Sequence, residues 1–271
     1  MKIGIAGLGL IGGSLALALR GRHDVKGFDV APDARDHASR SGIAVSDRLD
    51  DLLPADAVIV ATPLEVVVAT LAALLPRAEN AVLLDVSSVR APVDAFATSA
   101  GAGACIVGMH PMAGRSARGF AAADPAILAG RPFLIVPTAR SDARAMQVAG
   151  DLARDAGGVV TVCSSAEHDR IVAVVSALPL AVAAAVSLVA AERGVGLASV
   201  AGPGYRDATR LALTSPDLGE AMLTLNAANV SGAISRLREV LDELERAIAA
   251  RDGAAVRALL ERAASGRAAL G

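Results

Sequence analysis

A glycine-rich turn between a buried strand and a helix limits what this chain can fold into more than any other feature. Lys2-Ile3-Gly4-Ile5-Ala6 reads as a short apolar strand, and Gly7-Leu8-Gly9-Leu10-Ile11-Gly12 follows it without a gap. In that setting Gly7 permits the tight turn, Gly9 lets backbone approach a pyrophosphate, and Gly12 lets the next helix pack on the strand. The helix, entered through Leu10 and Ile11, offers free N–H groups and a positive dipole end to phosphate. A second strand, Val25–Asp29, ends on an acid twenty residues after Gly9. A carboxylate there accepts hydrogen bonds from the adenosine ribose and repels a 2′-phosphate. The pattern predicts a dinucleotide site that prefers NAD to NADP.

The rest of the first half repeats the alternation. Ala57–Ala61, Ala81–Asp85, Ala104–Gly108 and Pro132–Val136 are apolar runs of strand length. Helical stretches, Leu15–Arg20, Asp33–Ser41 and Glu65–Leu75, separate the first of them. Continuous apolar strands between helices predict a Rossmann-type α/β parallel sheet covered on both faces. Thr62 and Pro63 follow one strand, where strand ends face the cofactor crevice, and Pro63 also suits a helix start. After about Val162 strand signals vanish. Leu237, Val240, Leu241, Leu244 and Ile248 recur at helical spacing. The organisation predicted is a dinucleotide-binding domain over 1–162 and an all-α domain over 163–271.

Composition removes other classes. A net charge of −2 with no basic cluster argues against nucleic-acid binding, and 2% aromatic residues leave no stacking platform. The run Ile171–Ala191 is long enough to span a bilayer, but its alanines, Ser176, Pro179 and Ser187 predict a buried helix instead. Cys105 and Cys163 lie far apart, and the four histidines make no metal-ligand spacing with them. No basic stretch and cleavage site opens the chain, so no signal peptide is read and a cytoplasmic setting is expected. A helical half rich in small apolar residues predicts a homodimer through that half.

Two strand ends carry the candidate chemistry. Met109-His110-Pro111 places the one histidine at a strand C-terminus, where an imidazole can take a substrate hydroxyl proton as hydride leaves the same carbon. Ser88, in Asp85-Val86-Ser87-Ser88, could hold that imidazole or the hydroxyl in line. His23 and His37 read as solvated, and His168 as a polar residue at a helix start. In Tyr205-Arg206-Asp207-Ala208-Thr209-Arg210 the two arginines share a helical face. They can bind a carboxylate or form a surface ion-pair ladder through Asp207; the residues alone favour the ladder.

Taken together, these motifs resemble the prephenate/arogenate dehydrogenases. Gly7-Leu8-Gly9-Leu10-Ile11-Gly12-Gly13-Ser14 is similar to that family's nucleotide loop. His110-Pro111-Met112-Ala113-Gly114, with Gly119, is similar to its histidine motif, and Tyr205–Arg210 to its arginine motif. The resemblance implies NAD-dependent oxidative decarboxylation of prephenate to 4-hydroxyphenylpyruvate, or of arogenate to tyrosine, in a dimeric enzyme of tyrosine biosynthesis. It implies that His110 is the base, Ser88 its hydrogen-bonding partner and Arg210 the substrate carboxylate anchor.

The chain departs from the family on the substrate side. The family's Ser-His-Leu-Pro-His reads Ser176-Ala177-Leu178-Pro179-Leu180 here, and Gly219 stands about where an aromatic residue is common. Arg115, Arg118 and Arg206 are the candidates to supply the missing polar contact. Two other readings stay open: a related hydroxyacid dehydrogenase or imine reductase, and an NAD-binding protein without turnover. The chain's lysines, Lys2 and Lys26, leave the hydroxyacid enzymes' usual lysine site without a counterpart.

Overall fold

The computed structural model describes residues 1–101, 103–115, 117–192 and 200–270. Among them, eight strands form one sheet in the order β3-β2-β1-β4-β5-β6-β7-β8. In chain order these are β1 Lys2–Ala6, β2 Asp24–Phe28, β3 Ala44–Ser46, β4 Ala57–Val60, β5 Val82–Asp85, β6 Ile106–Pro111, β7 Pro132–Pro137 and β8 Val159–Val162. The helices that flank the sheet are α1 Leu10–Leu19, α2 Pro32–Arg40, α3 Leu64–Leu74, α4 Ala91–Ser99 and α5 Ala143–Asp155. Then come α6 Ser165–Val172, a π turn Ala173–Ala177, α7 Leu178–Glu192, α8 Pro203–Thr209 and α9 Pro216–Thr224. By compactness the chain divides into Met1–Asn226 and Ala227–Gly271. The second unit is a helical pair, α10 Ala227–Ala249 and α11 Gly253–Ala269, with an Arg262–Glu243 ion pair between them at 3.4 Å.

The two-residue period of the strands sorts the core into two layers. Ile3, Ile5, Ile59, Leu84 and Met109 face one side, under Leu15 and Leu19 of α1 and Leu152 of α5. Val58, Val60, Leu83 and Ile106 face the other, under Val67 and Leu71 of α3 and Val93 of α4. The sheet is covered on both faces, which is why its central strands read as unbroken apolar runs.

Three expectations change. The sheet is not wholly parallel: β6 and β7 are antiparallel, while every other neighbouring pair is parallel. A parallel crossover needs a helix-length connection to carry the chain back. Between β6 and β7 the described residues hold only two three-residue 3₁₀ turns, Phe120–Ala122 and Pro125–Ile127, so the strand returns the other way. Two edge strands, β3 and β8, escaped the reading because each is short and largely solvent-facing. The apolar run after Ile171 is also not a buried helix within this chain. Ser165–Glu192 is long and apolar enough by composition to cross a membrane, yet only 28% of its most apolar stretch is buried. Ala173, Ala177, Leu180 and Ala183 pack inward, whereas Val174, Val175, Val186, Leu188 and Val189 are exposed. Among the described residues, one face of the run is packed and the others are not.

A charge lies inside the second layer. Arg90 is fully buried and pairs with the equally buried Asp85 at the end of β5. Its guanidinium lies against Gly108, where a Cβ would come within 2.7 Å of Arg90 Cζ. Burial works against the Arg90 charge, but Asp85, with Asp94 and Asp169, outweighs it and raises the guanidinium pKa above its ordinary value. Burying one Ile or Leu side chain stabilises by roughly 1.5–3 kcal/mol. Removing one partner of a buried ion pair costs about 3–5 kcal/mol, because the other charge is left unpaired. Arg90→Ala is therefore expected to lower the urea-unfolding free energy by about 3–5 kcal/mol. A loss under about 1 kcal/mol would show that Asp85 finds water or another partner.

Candidate active site

Strand register brings the candidate residues to one edge of the sheet. Ala6 is level with Val60, Val60 with Asp85, and Asp85 with Gly108. Gly7, Thr62 and Ser88 therefore follow the strand ends at the C-terminal edge, and His110 lies two residues past Gly108 on the part of β6 that runs beyond β5, where ligands of open α/β sheets bind.

At β1 the turn is built for a phosphate. Gly7 has φ +96°, and a Cβ there would lie 2.5 Å from the Ala61 carbonyl oxygen. A Cβ on Gly12 would lie 1.8 Å from the Gly7 carbonyl oxygen, so the first turn of α1 sits directly on the loop. Among the described residues, nothing lies within 4 Å of the equivalent point on Gly9, and no side chain caps α1. Its first N–H groups, from Leu10 and Ile11 onward, are left to a ligand. Asp29 follows β2; its Oδ2 accepts from Leu8 N–H at 2.7 Å and its Oδ1 from Ala31 N–H at 2.8 Å. The acid thus also braces the loop. The buried Thr62 hydroxyl has no hydrogen-bond partner among the described residues, and Pro63 precedes α3. An open cradle, uncapped helix N–H groups, an acid at the ribose position and an unpartnered hydroxyl fit a dinucleotide.

At β6 the chemistry is imidazole. His110 lies inside the strand's last turn of pairing, opposite Leu134 of β7, and is 9% exposed. Its Nδ1 is 2.9 Å from Nε2 of His168, which is wholly buried. His168 Nδ1 lies 2.8 Å from Oδ1 of Asp169. The Asp169 carboxylate also accepts backbone N–H bonds from Arg90 at 2.8 Å and Ala91 at 3.1 Å. These are the first N–H groups of α4, so Asp169 caps that helix from α6. Asn226 Nδ2 donates to the Asp169 carbonyl at 2.7 Å. Burial first, then His168 and the Arg90 charge, push the His110 pKa down to about 3.

His168 and Asp169 are the pair that the sequence reading missed. Ser164 Oγ accepts from Glu167 N–H at 3.2 Å, which fits the helix start read there. A capped start says nothing of a partner 58 residues away. Ser88 is half-buried and makes no hydrogen bond to His110 among the described residues.

The arginines are dispersed. Arg206, in α8, and Arg210, just after it, are exposed, and no ion pair joins either to Asp207 among the described residues. Arg210 lines a shallow cavity of about 340 Å³ together with Leu178, Pro179 and Val182. Leu180 is buried within 3.7 Å of the Cβ position of Gly219, so two of the departures from the family pattern meet. Ala177 is buried on the preceding turn. Arg115 instead pairs with Asp124 at 2.8 Å, and Asp124 N–H donates to Ser14 Oγ of α1 at 3.0 Å. That places Arg115 beside the nucleotide loop's helix. Arg118 is exposed.

A nucleotide cradle and a buried imidazole on one sheet edge are the layout of a dinucleotide-dependent dehydrogenase. The comparisons narrow that class. Residues 15–162 match the prephenate dehydrogenase nucleotide-binding domain, and residues 164–262 the prephenate dehydrogenase dimerization domain. The chain belongs to the prephenate dehydrogenase family. Prephenate dehydrogenase of Bacillus subtilis is 32% identical over 257 residues, 89% of this chain and 68% of that protein. Cyclohexadienyl dehydrogenase of Zymomonas mobilis is 28% identical over 93% of this chain and 89% of its own. Among solved structures, Synechocystis arogenate dehydrogenase superposes with a TM-score of 0.84 at 29% identity, covering 100% of both chains. Prephenate dehydrogenase from Aquifex aeolicus, in complex with hydroxyphenyl propionate and NAD⁺, superposes at 0.88 with 25% identity, over 100% of this chain and 99% of that one.

The buried neutral imidazole has a consequence for stability. A histidine in the unfolded chain titrates near 6.5, and His110 in the folded chain near 3. Between those values the unfolded state binds a proton that the folded state refuses, so stability falls as pH drops through that window. Each pH unit costs up to about 1.4 kcal/mol. Between pH 7 and pH 5, His110→Gln should lose roughly 1–2 kcal/mol less stability than the natural chain in urea unfolding. Equal losses would place a charged His110 in the folded state.

Proposed function

We propose that this chain is a cytoplasmic, homodimeric enzyme that oxidises and decarboxylates prephenate to 4-hydroxyphenylpyruvate in tyrosine biosynthesis, with arogenate as the alternative substrate. The observation that supports it most is a buried, neutral His110 on the same sheet edge as the nucleotide cradle. In this reading residues 1–162 bind the dinucleotide and 163–271 form the helical substrate and dimerisation domain. The exposed valines and leucine of the Ser165–Glu192 run are the surface a second copy would cover.

Bound NAD⁺ supplies the acceptor for hydride from C4 of the substrate ring. The chain supplies the rest. Gly7, Gly9 and Gly12, with the N–H groups of Leu10 and Ile11, hold the pyrophosphate, and Asp29 holds the ribose. Thr62 and Pro63 line the crevice. His110 takes the proton of the 4-hydroxyl through Nε2, the nitrogen without a partner among the described residues. A base must be neutral to do this, and burial keeps it so. As hydride leaves C4, the bond to the ring carboxylate breaks, its electron pair makes the ring aromatic and carbon dioxide departs, and the proton held on His110 returns to the phenolate oxygen of the product. Ser88, three residues past β5, holds the hydroxyl in line. Arg210 binds a substrate carboxylate, with Arg206, Arg115 and Arg118 as further cations, since a carboxylate desolvated without a partner binds poorly.

NADH absorbance tests the reading, with prephenate and arogenate offered separately. His110→Ala should lose about 10²–10⁴-fold in kcat while still binding NAD⁺. Arg210→Ala should raise the substrate KM roughly ten- to a hundredfold and leave that of NAD⁺ unchanged. Turnover of neither acid by the natural chain would refute the substrate assignment, and near-normal turnover of His110→Ala would assign the base elsewhere.

A further inference from the structure

The hydrogen bonds around Asp169 decide which nitrogen of His110 carries its proton. Both Asp169 oxygens accept backbone N–H bonds, from Arg90 and Ala91, as an ionised carboxylate does. An ionised carboxylate has no hydrogen to give, so the His168 Nδ1 that faces it at 2.8 Å must be the donor. His168 is wholly buried. A neutral ring has one N–H, and His168 uses it toward Asp169. Its Nε2 is then a bare acceptor. Across the 2.9 Å contact, His110 Nδ1 must donate. That leaves the His110 lone pair on Nε2.

We infer that His168 and Asp169 are positioning residues, which fix His110 in the tautomer whose bare Nε2 can accept the substrate proton. The inference rests on His110 being the base, and it assigns the orienting role to the helical segment after β8 rather than to Ser88. The placement of the pair supports it. His168 and Asp169 are adjacent on α6, which is capped at its start by Ser164 and anchored at Asp169 by the N-terminus of α4 and by Asn226. Two helix ends therefore hold one imidazole, and that imidazole holds the next. An unsupported His110 could present Nε2–H instead, a donor with no lone pair for the hydroxyl proton.

Substitutions at His168 separate orientation from simple packing. A Gln amide can give an N–H to Asp169 and an oxygen to His110, which reproduces the polarity of the imidazole. Leu fills the space and offers neither. In the full chain, thermal melting first establishes folding, and NADH formation from prephenate gives kcat and KM. His168→Leu should lose about 10²-fold in kcat with an unchanged KM for NAD⁺, and His168→Gln should recover at least about tenfold of that loss. A folded His168→Leu with natural kcat, or a Gln variant no better than Leu, overturns the inference. If the Leu variant does not fold, the Gln variant decides alone: turnover within about tenfold of natural supports the inference, and a loss as large as that of His110→Ala overturns it. His110→Ala in the same assay keeps the two claims apart. Normal turnover there removes the base assignment itself, whereas a dead His110→Ala beside a normal His168→Leu removes only the positioning role.

Discussion

The carboxylate of Asp169 accepts the first two N–H groups of α4 and faces the buried Nδ1 of His168, and the candidate chemistry depends on that junction. Those backbone groups would otherwise stand unpaired at a buried helix start. Asp169 thereby joins α6, which lies beyond the sheet in sequence, to the second layer of the sheet. The same oxygen atoms that cap α4 set the protonation of two imidazoles in series. Structural support and site chemistry share one set of hydrogen bonds, so a change at Asp169 would be felt in both.

The electrostatics around that junction are balanced by position. Arg90 is buried among Asp85, Asp94 and Asp169, and it keeps its charge because Asp85 pairs with it. The cation lies under Gly108 in β6, two residues before His110. Together with burial it keeps the imidazole neutral, the state a base needs. The nucleotide end of the edge is arranged differently. There the backbone N–H groups at the start of α1 are left open, Asp29 braces Leu8, and the side chains around them are small or acidic.

What the sequence disclosed was local. Gly7 and Gly12 could be read because a turn without room for a Cβ leaves its mark in adjacent residues. His110 could be read because β6 ends beside it. His168 could not, since its function depends on a ring 58 residues earlier in the chain, and a capped helix start is the only local trace it leaves. Nothing in its neighbours in sequence marks Arg90, and only the packing of Gly108 and Asp85 around it shows why it is buried. The antiparallel turn into β7 was hidden for a similar reason: β7 is as apolar as its parallel neighbours, and direction is set by the connection rather than by the strand. Leu180 and Gly219 stood apart as two departures from a pattern until the fold put one against the other.

The claim that the Asp169–His168 pair dictates the tautomer of His110 is tested most directly by ¹⁵N nuclear magnetic resonance of the imidazole nitrogens in the full chain at neutral pH. His110 is assigned by comparison with His110→Gln. The account predicts a protonated Nδ1 and an unprotonated Nε2 for His110. A protonated Nε2 in the folded protein would contradict it.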